Sequence, residues 1–433
     1  MAVRVLCTGD IHIGRSASKV PDAPRCSQAW TAIVDLAIAE RVDLLAISGD
    51  IVDKENKSYE AIGPLQDGLR RLNEAGIDTV AIAGNHDHDV LPRLSGFAGT
   101  DRFHLLGSDG EWERWTLLRN GTPRLQVCGW SFPKEHVREN PLHTFMDGAD
   151  DGVPVLGLLH AEVGNTRSLY APVSFDDLRA HRVDFWLLGH IHAPRQFPDT
   201  NGCRALYPGS PFAMDPGEPD AHGVWMLTIE PGRPMVPEMI AISPVRYSQL
   251  NVDVTGIDDR DGFLERLTSE LLATGRAGDG DHSAAHLLAV SCRIRLTGSS
   301  TAHRLIPIWA TQARQDIDPY PAGRVSVFID EITTDVRPHI PLDQLVRMND
   351  ALGATARLIA AMDATVPEPP YADLIRRTAA ELSSVHTHPG YAAIRSGDQT
   401  DAPGRLTEDD ARDLLRTEGW RLLSALLDQR DVA

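Results

Sequence analysis

The sequence predicts an α/β domain with polar groups gathered at the C-terminal ends of its strands, then a smaller β-α-β unit and C-terminal helices. Three observations carry this. Short β-branched or leucine-rich runs are each followed by a polar cluster, most of them opened by glycine. Helix-period segments separate the first three runs, the mark of an α/β arrangement. Beyond residue 240 the pattern changes to strand, helix, loop and strand.

In order, Val3 to Cys7 leads into Thr8-Gly9-Asp10-Ile11-His12, and Asp43 to Ser48 leads into Gly49-Asp50. Thr79 to Ala83 leads into Gly84-Asn85-His86-Asp87, Val153 to Leu159 ends at His160, and Asp184 to Leu188 ends at Gly189-His190-Ile191-His192. Helical periodicity spans residues 27 to 41 and 58 to 75, the second segment closing at Gly76. Gly223 to Ile229 reads as a last strand, Pro231 to Pro237 as a linker, and a domain boundary is expected near 240.

The next domain, 241 to 335, reads as strand Gln249 to Val254, helix Gly262 to Ala273, a Gly/Asp loop and strand Leu287 to Leu296, with a further strand at Arg324 to Ile332. Residues 336 to 433 read as helical. Leu342 to Met362 is periodic before the breaker Pro367-Glu368-Pro369-Pro370, and residues 383 to 405 look like a linker. The last helix opens on a capping-box variant, Thr407 with Asp410, and carries leucines on one broad face.

With 433 residues, the chain is long enough for two to three domains at about 150 residues each. No run approaches the roughly 18 apolar residues of a membrane helix, and five cysteines without C-x-x-C spacing argue against a disulfide framework or thiolate zinc site. The expectation is a cytoplasmic protein away from the membrane. Cys7 reads as core. Forty-two basic against 61 acidic residues give a net charge of −19, which excludes nucleic-acid binding by bulk charge alone. Only Lys19, Lys54, Lys57 and Lys134 are lysines, so phosphate contacts would fall to arginine, with Arg167, Arg179, Arg182 and Arg195 the nearest candidates. Trp112, Trp115 and Trp130 are open to base stacking or core packing.

Ligands of open α/β sheets bind beyond the carboxyl ends of strands, so the five clusters should converge. Together they offer Asp10, His12, Asp50, Asn85, His86, His160, His190 and His192. Oxygen and nitrogen donors without thiolate suit manganese, iron or zinc. Asp-x-His and His-x-His place alternate side chains of an extended segment on one side. Two ions about 3.5 to 4 Å apart need a bridging ligand, and the carboxylate of Asp50 is the candidate. Any one of these residues alone reads as a turn or cap. Five clusters at five strand ends do not, because burying that many imidazoles and carboxylates without a cation is costly.

The ordered pattern D-x-H, G-D, G-N-H-D, H and G-H-x-H resembles the calcineurin-like metallophosphoesterases. Leu159-His160-Ala161-Glu162, Tyr170-Ala171-Pro172, Asp176-Asp177-Leu178 and Tyr207-Pro208-Gly209-Ser210 are similar to the DNA-repair exonuclease branch, the SbcD-type and YhaO-type nuclease subunits. The resemblance covers residues 3 to 240 strongly and the β-α-β unit to about 298 loosely. It implies a β-sandwich core flanked by helices, a small α+β cap domain that selects DNA by shape, and C-terminal helices that dock a partner.

It further implies two divalent ions, manganese foremost. Asp10, His12, Asp50 and His192 would surround one ion, and Asp50, Asn85, His160 and His190 the other. His86 would contact the scissile phosphate and stabilise or protonate the leaving oxygen, with Asp53 orienting it. Some nuclease relatives carry a histidine at the Asp53 position, and the alternative role for Asp53 is to cap the helix expected from Ser58. The implied reaction is in-line attack on a phosphodiester by water activated between the ions, without a protein nucleophile.

The leading function is a two-metal DNA exonuclease or endonuclease in repair or end processing, with DNA and an SMC-like ATPase as partners. A homodimer stays open. The alternatives are a phosphatase or phosphodiesterase of small or cyclic nucleotides, and a non-catalytic adapter of an ATPase.

Overall fold

The computed structural model describes residues 2–21, 25–53, 61–95, 101–148, 152–197, 205–230, 233, 235–276, 286–339, 342–387 and 407–432. Its first part follows the alternation read from the sequence: β1 (Val3–Thr8), α1 (Cys26–Ala39), β2 (Leu44–Ile47), α2 (Ile62–Glu74), β3 (Asp78–Ala81), α3 (Leu91–Ser95) and β4 (Phe103–Leu105). The first turn expected for the second helix, and Ser58, lie outside the described residues. Next come β5 (Glu113–Arg119), β6 (Thr122–Trp130), β7 (Val155–His160), α4 (Phe175–Arg179), β8 (Phe185–Gly189), β9 (Arg195–Phe197), β10 (Ala205–Tyr207), β11 (Gly223–Ile229) and β12 (Pro237–Ala241).

These strands form two six-stranded sheets rather than one, in the orders β12-β11-β1-β2-β3-β4 and β5-β6-β7-β8-β10-β9. Period-2 alternation explains the layers. Val3, Val5 and Cys7 of β1 point into the core between the sheets, with Leu44, Ala46 and Val80, opposite Leu125, Val127, Leu156, Leu158, Phe185 and Leu187. The other face of the first sheet, with Leu6, Leu45 and Ile47, packs on Trp30, Ile33 and Val34 of α1 and Leu65, Leu69 and Leu72 of α2. The outer face of the second sheet, with Cys128, Trp130, Leu159 and Trp186, is covered by Leu178 of α4 and by Leu142 and Phe145, in and just after the short 3-10 turn Pro141–Thr144. The result is a β-sandwich flanked by helices.

The residue at the expected boundary, 240, lies inside β12, which pairs antiparallel with β11 from Gly223↔Ala241 to Leu227↔Pro237. The chain then continues as β13 (Val245–Asp253), α5 (Arg260–Arg276), β14 (Ala289–Ser300), α6 (Ile306–Ile317), β15 (Tyr320–Ala322) and β16 (Val325–Pro338). The four strands form a sheet in the order β13-β14-β16-β15. Two compact units result, one of residues 1–250, 267–294 and 314–332, the other of 251–266, 295–313 and 333–433. β13, β14 and β16 each run from the first unit into the second.

The second unit also holds α7 (Leu342–Leu345), α8 (Ala351–Asp363), α9 (Pro369–Thr387) and α10 (Glu408–Val432). The stretch read as one periodic helix is two, because Asp350 caps α8 by accepting the Gly353 N–H at 2.9 Å. Pro369-Pro370, read as a breaker, begins a helix instead, since a first-turn proline forfeits no hydrogen bond. That helix runs through 383–387, and the rest of the expected linker, 388–405, lies outside the described residues. At the start of α10, the Thr407 N–H donates to Asp410 Oδ2 at 2.7 Å and the Asp410 N–H donates back to Thr407 Oγ1 at 3.3 Å. Leu423 of that helix is buried against Ala356 and Ile359 of α8, while Leu414 and Leu422 stay exposed. Among the described residues, no helix is long and apolar enough to cross a membrane.

Candidate metal centre

All five clusters follow strands that pair in parallel, β1 to β3 in one sheet and β7 and β8 in the other. Their C-terminal ends therefore face the same edge of the sandwich. The two sheets are tied there: Ser48 Oγ donates to Leu188 O at 3.0 Å, and the His190 N–H donates to Asp10 Oδ1 at 3.0 Å. Asp10 and His12 are held in turn by their own N–H groups, which donate to Gly49 O and Asp50 O, each at 3.0 Å.

The backbone is strained at this edge. Asp10, His12, Asp50 and His190 have φ of 49°, 50°, 50° and 94°, a region that non-glycine residues enter at a cost of about 1–3 kcal/mol each. Close approach also restricts what can stand between the donors. A methyl group at Gly84 would overlap Asp50 Oδ1, and one at Gly189 would overlap Ser48 O and His160 Nδ1.

The structure gathers every donor proposed from the sequence. Asp10, His12 and His192 form one cluster, Asp10, Asp50 and His160 a second, and His12, Asp50 and His86 a third, with donor atoms within 4.8 Å of one another in each. Asp50 is central. Its Oδ1 accepts the His86 backbone N–H at 2.9 Å, leaving Oδ2 3.3 Å from His160 Nε2 and 3.9 Å from His12 Nε2. Oδ2 thus faces both histidines. Asn85 Oδ1 lies 3.0 Å from His160 Nε2 and 3.2 Å from His190 Nδ1.

Proton placement shows that these residues fit cations. Ser48 O can only accept, so the nitrogen 2.9 Å away, His160 Nδ1, must carry the hydrogen. In neutral His160, the Nε2 lone pair then confronts the oxygens of Asn85 and Asp50. On the other side, the Nε2 atoms of His12 and His192 stand 3.2 Å apart while their Nδ1 atoms face the carboxylates of Asp53 and Glu218. Buried acceptors opposed in this way call for positive charge between them.

Without an ion, a proton supplies that charge. Burial opposes charging His160, but the Asp50 carboxylate beside it pushes its pKa up to about 9, while burial and the charge of His160 push His190 down to about 3. Burial likewise works against the Asp50 charge, and His160 outweighs it, holding Asp50 far below the usual carboxylate range. Cation binding at pH 7 must therefore expel the second proton of His160. We expect release of at least one proton per chain, measured with an indicator dye, and apparent affinity that rises with pH between pH 6 and 8. Affinity flat across that window would remove His160 from the donors.

Asp53 lies between two imidazoles, 3.3 Å from His12 Nδ1 and 3.6 Å from His86 Nδ1, with Arg15 Nε at 3.9 Å. Burial tends to lower the His86 pKa, and Asp53 with Asp50 raises it above the ordinary histidine value. Two carboxylates have roles that the sequence did not disclose. Asp87 is buried and accepts the N–H groups of Ile51 at 2.7 Å, Val52 at 3.2 Å and Gly84 at 2.8 Å, clamping the loops that carry Asp50 and Asn85. Glu218 is 6% exposed and accepts from His192 Nδ1 at 2.5 Å.

The side candidates resolve differently. Trp112 packs on Phe145 and Trp186, and Trp130 donates its indole N–H to Gly110 O, so both serve the core. Trp115 lies against His104. Arg179 pairs with Asp176 and Arg195 covers the Phe197 ring at 4.7 Å. Cys7 is fully buried and its thiol pKa is pushed far up by burial, as a core residue requires.

The profile of the calcineurin-like phosphoesterases matches residues 3–194, from the start of β1 to just beyond the last histidine of the centre. Residues 3–194 form a calcineurin-like phosphoesterase domain. The chain is 28% identical over 225 residues to the uncharacterized metallophosphoesterase YhaO of Bacillus subtilis, covering 52% of this chain and 54% of that protein. It thus spans about half the length of YhaO. It is 23% identical over 299 residues to the DNA double-strand break repair protein Mre11 of Saccharolobus solfataricus, covering 62% and 72% of the two chains. Against the SbcD component of the nuclease SbcCD of Staphylococcus epidermidis it is 22% identical over 297 residues, covering 61% and 75%.

Proposed function

We propose that this protein is a two-metal-dependent DNA phosphodiesterase, an exonuclease, an endonuclease or both, that processes DNA ends together with an SMC-like ATPase. The observation that carries the hydrolytic part is the convergence of Asp10, His12, Asp50, Asn85, His160, His190 and His192 on one edge of the sandwich, with His86 beside them. The choice of DNA is supported by the relatives named Mre11 and SbcD.

When bound, a pair of divalent cations, manganese in this proposal, neutralises phosphoryl charge and makes water acidic enough to attack near neutral pH. Asp10, His12, Asp50 and His192 would hold one, and Asp50, Asn85, His160 and His190 the other. The chain's own part is to fix these donors before substrate arrives, as the strained loops and the Asp87 clamp do. His86, whose side chain is 31% exposed, is oriented by Asp53 to give a proton to the leaving oxygen. Residues 241–335 would serve as the DNA-selecting domain and 336–433 would dock the ATPase, which would bring the positive surface that a chain of net charge −19 lacks.

The test compares linear DNA, a bis-aryl phosphodiester, a mono-aryl phosphate and cyclic nucleotides, each with Mn²⁺ and with EDTA. Cleavage of DNA and of the bis-aryl diester in Mn²⁺ alone is the expected result. Turnover of cyclic nucleotides with DNA left intact would replace this reading with small-nucleotide hydrolysis.

A further inference from the structure

Glu218 lies in the Pro/Gly-rich turn before β11, 26 residues beyond His192, where sequence reading sees only loop punctuation. The structure gives it a defined set of donors. His192 Nδ1 meets Glu218 Oε1 at 2.5 Å, while Oε2 accepts Ser210 Oγ–H at 3.1 Å and the Met214 N–H at 2.8 Å. Behind Ser210 stands His222, 1% exposed, whose Nδ1 is 2.8 Å from Ser210 O and 3.1 Å from Ser210 Oγ.

Proton bookkeeping allows one assignment along this line. Ser210 O only accepts, so His222 Nδ1 carries its hydrogen and Ser210 Oγ–H points onward to Glu218. An ionised carboxylate has no hydrogen to give, so His192 gives Glu218 its Nδ1–H. The lone pair of His192 is thereby fixed on Nε2, the atom 3.2 Å from His12 Nε2. The Ser210 N–H also donates to His192 O at 3.0 Å, so backbone and side chain of His192 are held by the same segment.

We propose that Glu218, supported by Ser210 and His222, is a positioning residue for the cation held by Asp10, His12, Asp50 and His192. It sets the tautomer and ring orientation of His192 and raises the basicity of its free nitrogen, the role carboxylates play behind metal-bound imidazoles. The other group of donors has no such support at His160, whose Nδ1 meets the neutral carbonyl of Ser48. Loss of Glu218 should therefore weaken one of the two positions and spare the other. The inference rests on the metal-centre reading above.

The experiment is a calorimetric Mn²⁺ titration of the metal-free full chain, with melting temperatures in EDTA as a control on folding. Wild type should bind two equivalents. Glu218→Gln should raise the dissociation constant of one equivalent by about 10- to 100-fold and leave the other unchanged. Ser210→Ala, which removes one donor to Oε2, should shift the same equivalent in the same direction by a smaller factor. Independently, ¹⁵N spectra of wild type should show His192 protonated at Nδ1. Unchanged constants in Glu218→Gln, equal weakening of both equivalents with a lowered melting temperature, or His192 protonated at Nε2 would each overturn the proposal. Wild type that binds no Mn²⁺ would remove the metal centre itself, an outcome distinct from two equivalents insensitive to Glu218.

Discussion

Asp50→Asn is expected to yield a folded protein that has lost at least one of its ions and about 10³-fold or more in phosphodiester turnover, equivalent to roughly 4 kcal/mol of barrier. The reason is geometric. Asn can still accept the His86 N–H through its carbonyl oxygen, as Asp50 Oδ1 does at 2.9 Å. Its amide nitrogen then takes the place of Oδ2 and turns two hydrogens toward the nitrogens of His160 and His12. The variant supplies internally what the cations supplied, which keeps the fold and removes the reason to bind metal. Elemental analysis alongside turnover reads both effects. Two ions at full occupancy with near-normal turnover would take Asp50 out of the shared position.

His86→Ala should separate from that result in kind. The bond that secures Asp50 comes from the backbone N–H of residue 86, so truncating the side chain leaves both ions in place. Cleavage of DNA, whose leaving alkoxide needs a proton, should fall by about 10²- to 10⁴-fold, and cleavage of an activated aryl ester far less. Asp53, 3.6 Å from His86 Nδ1, favours the protonated imidazole. In wild type, the DNA-cleaving rate should decline as pH rises through the His86 pKa, and the decline should be absent in His86→Ala. An equal loss on both substrates would make His86 a phosphate-binding group, and loss of an ion would make it a ligand, as its grouping with His12 and Asp50 allows.

The centre was legible in the sequence because each of its parts is local. An apolar strand, a glycine and a polar residue lie within a few positions of one another, and parallel strands bring their ends together. The residues that support the donors are not local. Asp87 reads as the last letter of a motif, but its work is to accept hydrogen bonds from Ile51 and Val52, 36 and 35 residues away. Glu218 reads as turn because only folding brings it to His192. The same holds for the fold. β12 and the hairpin of β5 and β6 lack a strong alternating pattern, and the latter pairs across a register shift between Leu117 and Leu118. α9 was hidden because prolines 369 and 370 open it, where their missing N–H groups do no harm.

The four donors with left-handed backbone set the chemistry of the centre against the stability of the fold. Glycine occupies that conformation without the Cβ clash that histidine and aspartate meet there. Glycine at Asp10, His12, Asp50 or His190 would thus relax its loop and delete a donor in the same step. Cation affinity and thermal stability should therefore move in opposite directions at these four positions.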